Sequence, residues 1–104
     1  MARVAYTVTA TLPDEPTRDR YERWLTGGHV QQVVEGGASS ALVVRLSDPP
    51  MSVQSRYEFP SDAAYQGYLR DHAPRLRAEG LALFGPGSGV VFRREVGTIL
   101  EFDP

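Results

Sequence analysis

His29 directly follows Gly27-Gly28, a pair that interrupts a helical pattern, so the spacing predicts an imidazole at a helix break beside a pocket mouth. An imidazole placed there can act as a general base near neutral pH, or simply hydrogen-bond the broken helix. His29 is therefore the one candidate catalytic residue. His72 precedes Ala73-Pro74 at a helix end, where a cation suits the helix dipole, and its expected use is structural. Tyr6, Trp24, Tyr57, Tyr65, Tyr68 and Phe92 fall at strand and helix positions that face one layer. Such rings fill a core, or they wall a pocket in which a flat ligand stacks. On the second reading Trp24, Tyr57, Tyr6, Tyr68 and Phe92 are the candidate ligand-binding set, with the Tyr57 hydroxyl, the Trp24 indole or His29 orienting the ligand. Arg75 and Arg77 have the fork geometry to hold a carboxylate or phosphate. Two residues apart on a helix, however, they point to different sides, and solvation or pairing with Glu79 is the expectation.

Several chemistries are excluded. The chain has no cysteine, hence no disulfide, thiolate metal site or cysteine nucleophile. Its two histidines stand far apart, without a His-x-x-x-His string, so neither a metal nor a haem site is expected, and no cofactor is implied. The Gly85-Pro86-Gly87-Ser88-Gly89 run precedes a strand and lacks the Lys of a phosphate loop, so it reads as a connection. No elbow motif surrounds Ser39 or Ser40. All basic residues are arginine and lie scattered among the acidic ones, with a net charge of -2 and no basic stripe, which argues against nucleic acid and anionic membrane as partners. There is no apolar signal core at the start and no run long enough to span a membrane, so a soluble, cytoplasmic protein is expected. A length of 104 residues with 41% hydrophobic and 23% charged residues fits one globular domain, 1–104.

The elements that must position these residues follow from periodicity. Residues 3–12 alternate, with Val4, Tyr6, Val8, Ala10 and Leu12 on one face, which predicts a strand ended by Pro13-Asp14-Glu15-Pro16. Asp14 can cap the helix that follows, on which Tyr21, Trp24 and Leu25 share a side. After Gly27-Gly28 a short helical turn with Val30, Val33 and Val34 runs to Gly36-Gly37. Residues 39–47 and 51–59, joined by Asp48-Pro49-Pro50, predict an antiparallel hairpin, with Ser40, Leu42, Val44 and Leu46 on one face and Val53, Ser55, Tyr57 and Phe59 on one face. Ser61 is a second N-cap. Tyr65, Tyr68, Leu69, His72, Leu76 and Leu83 then recur at helical spacing, with Pro74 dividing the segment. Val90 to Phe102 predicts a long last strand, able to bend near Gly97.

Each half thus runs strand–helix–strand, the split βαβ arrangement of ferredoxin-like α+β domains. Right-handed crossovers place both helical segments on one face of a four-stranded antiparallel sheet in the order 4-1-3-2. The uncovered face is expected to carry Thr7, Thr9, Val43, Arg45, Gln54, Arg56, Glu58, Val91 and Arg93. It is either simply solvated or the interface of a two-fold dimer. The apolar tail Val96, Ile99, Leu100 and Phe102 favours the dimer, because a lone monomer gives it little to bury against.

The opening strand Val4-Ala5-Tyr6-Thr7-Val8-Thr9, the Trp24-Leu25 pair followed by His29, and Arg56-Tyr57-Glu58-Phe59 form a recognisable set with the run from Tyr68 to Arg77, Phe84-Gly85 and Val91-Phe92-Arg93-Arg94. In these the chain resembles a family of small bacterial proteins, catalogued as a domain of unknown function, within the dimeric α+β barrel superfamily. The resemblance covers nearly the whole chain, and Tyr68-Leu69 with the Ala73-Pro74-Arg75-Leu76-Arg77 string is its most specific part. Family members often carry Ile-Pro after the His, where this chain has Val30-Gln31. The resemblance implies a ferredoxin-like fold, a homodimer through the uncovered sheet face, and a ligand site between helices and sheet. Two functions stay open: a small-molecule-binding or interaction module, or a cofactor-independent monooxygenase- or isomerase-like enzyme with His29 as base acting on a small aromatic or cyclic ligand.

Overall fold

The structure, a computed structural model described here over residues 2–102, begins with strand β1 (Val4–Thr11). Met1, Asp103 and Pro104 lie outside the described residues. Helix α1 (Glu15–Trp24) starts where Asp14 Oδ1 accepts a 2.8 Å hydrogen bond from the Thr17 amide, with Pro16 in the first turn. It ends in a kinked turn, Leu25–His29, in which Gly28 leaves helical geometry at φ 151°, a conformation that residues with a Cβ avoid. The chain then resumes as α2 (Val30–Glu35).

Strands β2 (Ser40–Arg45) and β3 (Ser52–Phe59) form the hairpin. Helix α3 (Asp62–Asp71) is capped by Ser61, whose hydroxyl accepts from the Ala64 amide at 3.1 Å. The helix breaks at His72, and α4 (Ala73–Phe84) restarts with Pro74 where its missing N–H costs nothing. Strand β4 (Val91–Thr98) closes the chain. All pairings are antiparallel in the order β2-β3-β1-β4, which is the expected 4-1-3-2 order read from the other edge.

Three expectations need correction. Val43 and Arg45 do not lie on the uncovered face. Arg45 pairs with Val53 and Val43 with Ser55, and directly opposed residues share a face. Ala41, Val43 and Arg45 therefore point toward the helices, where Arg45 grips Glu22 of α1 at 2.5 and 2.8 Å. Leu42 and Val44 point the other way. Ala41-Leu42-Val43-Val44 is apolar on both phases, so its pattern could not choose between registers one residue apart. Second, Leu83 is 61% exposed; the buried side of α4 is Ala73, Leu76, Gly80 and Phe84. The break at His72 resets the helical phase, so the periodicity of α3 does not carry through. Third, the last strand stops at Thr98, opposite Val4, because β1 offers no further partner. One bond continues past it, from the Ile99 amide to the Arg3 carbonyl, and Leu100 and Phe102 project 81% and 83% exposed.

The uncovered face carries a polar network in which Gln54 Nε2 donates to Thr9 Oγ1 at 3.1 Å and Arg56 donates to Gln54 Oε1. Exposed Leu42 and Val91 flank it. The layer between sheet and helices is built as two clusters. One gathers Tyr6, Tyr57, Phe59, Tyr65, Tyr68 and Leu76; the other gathers Ala10, Tyr21, Leu25, Val53 and Phe84, with Trp24 and Phe92 packed against it.

Candidate functional site

The seam between these two clusters is open. A narrow cleft runs along it, with a volume of about 40 Å³ that opens to solvent at its mouth. That space takes a few waters as it stands, and a small organic ligand enters it only by moving the surrounding rings apart. His29, Trp24, Tyr57, Tyr6, Tyr68 and Phe92 all line it. Five elements and the kinked turn converge to bring them there. Alternation on β1, β3 and β4 turns Tyr6, Tyr57 and Phe92 toward the helices, α1 and the turn supply Trp24 and His29, and α3 supplies Tyr68.

The rings are packed as well as exposed to the cleft. Tyr6 and Tyr57 stack with centroids 5.8 Å apart, and Tyr68 leans on Tyr6 at 6.1 Å. Trp24 and His29 stack at 3.9 Å with planes 21° apart. The indole also lies on α4 where Gly80 leaves room, since a Cβ at Gly80 would come within 3.1 Å of Trp24 Cη2. Core and cleft wall are thus the same residues, and the two readings of the aromatic set are not exclusive.

Burial shapes the chemistry of the lining. His29 is partly buried, its Nδ1 has no hydrogen-bond partner, and desolvation drives its pKa down to about 4, with Glu79 pulling upward and Arg94 pushing further down. The imidazole is neutral at pH 7 and is a weak base. Burial pushes the Tyr57 phenol up to about 12, with the Ser55 hydroxyl pulling the other way, and raises Tyr21 and Tyr68 as well. These hydroxyls stay protonated and able to donate.

Two arginines outside the candidate set also line the cleft. Arg77 of α4 donates from Nη2 to the Tyr6 hydroxyl at 3.3 Å, while its Nε is buried without a partner. Arg94 of β4 reaches in beside Phe92, its guanidinium carbon 6.0 Å from the ring centre. Arg75 behaves as its spacing predicts, on the opposite side from Arg77, bonded to Gln32 and Glu79 at 2.9 and 3.2 Å. The available signal for Arg94 was its two-residue step from Phe92 on one strand face; for Arg77 it was the single turn of helix from Ala73, which only the break at His72 puts in phase. His72 stays away from the cleft, wedged against Gly36 and near-parallel to Tyr68 between α3 and α4. Among the described residues no three His, Asp or Glu side chains converge as a metal-ligand set, and no helix is long and apolar enough to cross a membrane.

No family model matches the chain, and no curated protein matches it by sequence. Solved structures do match in fold. A dimeric ferredoxin-like protein from an uncultured marine organism superposes with a TM-score of 0.73 at 14% identity, covering 99% of this chain and 100% of that one. A monooxygenase from Streptomyces coelicolor, solved in complex with nanaomycin D, gives 0.74 at 21% identity over 99% of this chain and 92% of its own. SnoaB, a cofactor-independent oxygenase from Streptomyces nogalater, gives 0.70 at 13% identity over 100% and 99%. The fold is therefore the ferredoxin-like one that these structures share, and proteins of unknown function and monooxygenases stand among them.

Proposed function

We propose that this chain is a small-molecule-binding protein that takes a flat aromatic ligand into the cleft between its helices and sheet. The observation that carries this reading is the open seam itself. Two aromatic clusters leave a narrow cleft between them that opens to solvent and is lined by hydroxyl and guanidinium donors. The Streptomyces coelicolor monooxygenase with the same fold adds support, since it was solved with a small molecule, nanaomycin D, bound.

The enzymatic alternative, a cofactor-independent monooxygenase or isomerase with His29 as base, draws on His29 in the cleft lining, whose Nδ1 has no hydrogen-bond partner. A base whose conjugate acid has a pKa near 4 has little driving force for proton abstraction at neutral pH, so binding is the stronger reading. The protein acts as a homodimer in this reading. A second copy on the uncovered face covers Leu42 and Val91, and the tail with Leu100 and Phe102 reaches over the neighbour.

Trp24 is the only tryptophan, so its emission reports on the cleft directly. Titration with 2-naphthol is expected to change that emission saturably in the wild-type protein and not in Gly80→Leu, whose side chain would push the indole across the cleft. An unsaturable response, or an identical one in the blocked variant, rejects the binding site.

A further inference from the structure

We propose that the ligand of this cleft is an aromatic carboxylate, its ring held among Trp24, Tyr57 and Phe92 and its anionic group taken by Arg77 and Arg94. This rests on the reading of the cleft as a small-molecule site and adds the charge of the occupant.

The inference comes from where charge is left uncompensated. The chain holds more acidic than basic residues. Arg3, Arg45, Arg70, Arg75 and Arg93 each pair with a carboxylate within 4 Å. Arg18, Arg20, Arg23, Arg56, Arg77 and Arg94 have no such partner among the described residues, and of these only Arg77 and Arg94 line the cleft, where no Asp or Glu stands. A guanidinium stays protonated throughout the working pH range, so two fixed positive charges border the cleft, Arg77 half-buried and Arg94 exposed.

Arg77 is the more constrained of the two. It is half-buried, one Nη is spent on the Tyr6 hydroxyl, and its Nε–H points at no acceptor. A buried donor without an acceptor is costly, and an oxyanion is the acceptor that satisfies it best. Arg94 approaches from the opposite wall, and its field reaches His29, Tyr21, Tyr65 and Tyr68 around the cleft. The phenols of Tyr57 and Tyr68 remain protonated and can donate to the same anion. Aromatic walls also keep the local dielectric low, which strengthens the pairing of a fork-shaped cation with a planar carboxylate.

The experiment compares 2-naphthoate with its neutral isostere 2-naphthamide, by Trp24 emission and by calorimetry on the full chain. With the cleft reading correct, naphthoate binds at least ~10-fold tighter than the amide at low ionic strength, as a charge-assisted bidentate contact implies. That preference shrinks in high salt and disappears in Arg77→Met/Arg94→Met. Should the double variant fail to fold, the naphthoate–naphthamide ratio and its salt dependence in the wild-type protein decide the matter alone. Equal affinity for naphthoate and naphthamide overturns the carboxylate assignment and leaves the cleft standing; so does tighter binding of 2-naphthol than of naphthoate, which would assign a phenol instead. A preference that survives in the folded double variant overturns the role of the two arginines. No saturable binding of any of the three probes overturns the cleft and the carboxylate together.

Discussion

Protonating His29 should cost this fold stability, and only within a defined pH window. The imidazole is stacked on Trp24, its Nδ1 has no partner, and burial holds its pKa at about 4 against 6.5 for the free side chain. An unfolded chain takes up the proton near pH 6.5, whereas the folded chain refuses it until about pH 4. The unfolded state thus binds more protons between those limits, and stability falls as the pH drops through them. Above pH 6.5 the residue contributes no pH dependence. Linkage puts the whole window at about 3 kcal/mol, and screening by water at the partly exposed ring reduces this to about 1–2 kcal/mol. The assay is urea unfolding of the wild type and His29→Gln at fixed protein concentration, at about pH 7.5 and about pH 4.5. Glu22, whose pKa is lowered chiefly by its hydrogen bond from Arg45, acts equally in both proteins and cancels. The wild type should lose about 1–2 kcal/mol more than the variant on acidification. Parallel losses in the two proteins, or an imidazole that titrates near pH 6.5 by NMR, would refute the buried, unpartnered placement of His29.

Phe59→Ala should be severe, because Phe59 is fully buried between Tyr6, Tyr65 and Tyr68; a loss of about 3–5 kcal/mol is expected in the same urea assay. Ser61→Ala removes the acceptor for the Ala64 amide and should lower stability by about 1 kcal/mol, with Ser61→Asp restoring most of it. Gly85→Ala should destabilise by about 1–3 kcal/mol, since the new Cβ would collide with the Leu81 carbonyl at the end of α4. Light scattering of the wild type should give twice the mass of the chain, and Leu42→Glu, on the uncovered face, should give the monomer mass without loss of helical circular dichroism; a monomeric wild type at micromolar concentration would remove the dimer.

Much of the architecture was legible because it is encoded locally. Asp14 and Ser61 announce helix starts through side-chain acceptors three residues from the amides they satisfy. Gly27-Gly28 and Pro74 announce breaks through their backbone alone, and alternation in residues 3–12 announces a strand. Where neighbours carried no information, the reading went astray. Four consecutive apolar residues in β2 give no phase, so alternation alone does not place Val43 and Arg45, and their pairing with Ser55 and Val53 turns them toward the helices. The end of β4 depended on where β1 begins, which no residue near Thr98 records.

The amino-acid order alone determined the succession of elements, the strand order that right-handed crossovers allow, and six side chains that come to share a cleft. Only the folded chain decided that the core forms as two clusters with a gap between them, and that Arg77 and Arg94 face into it without carboxylates. The reason is physical. Strand alternation, helix caps and breaks are set by bonds within a few residues, whereas a void is a shortage of atoms where β1, β3, β4 and the helices meet, and no single segment holds the count.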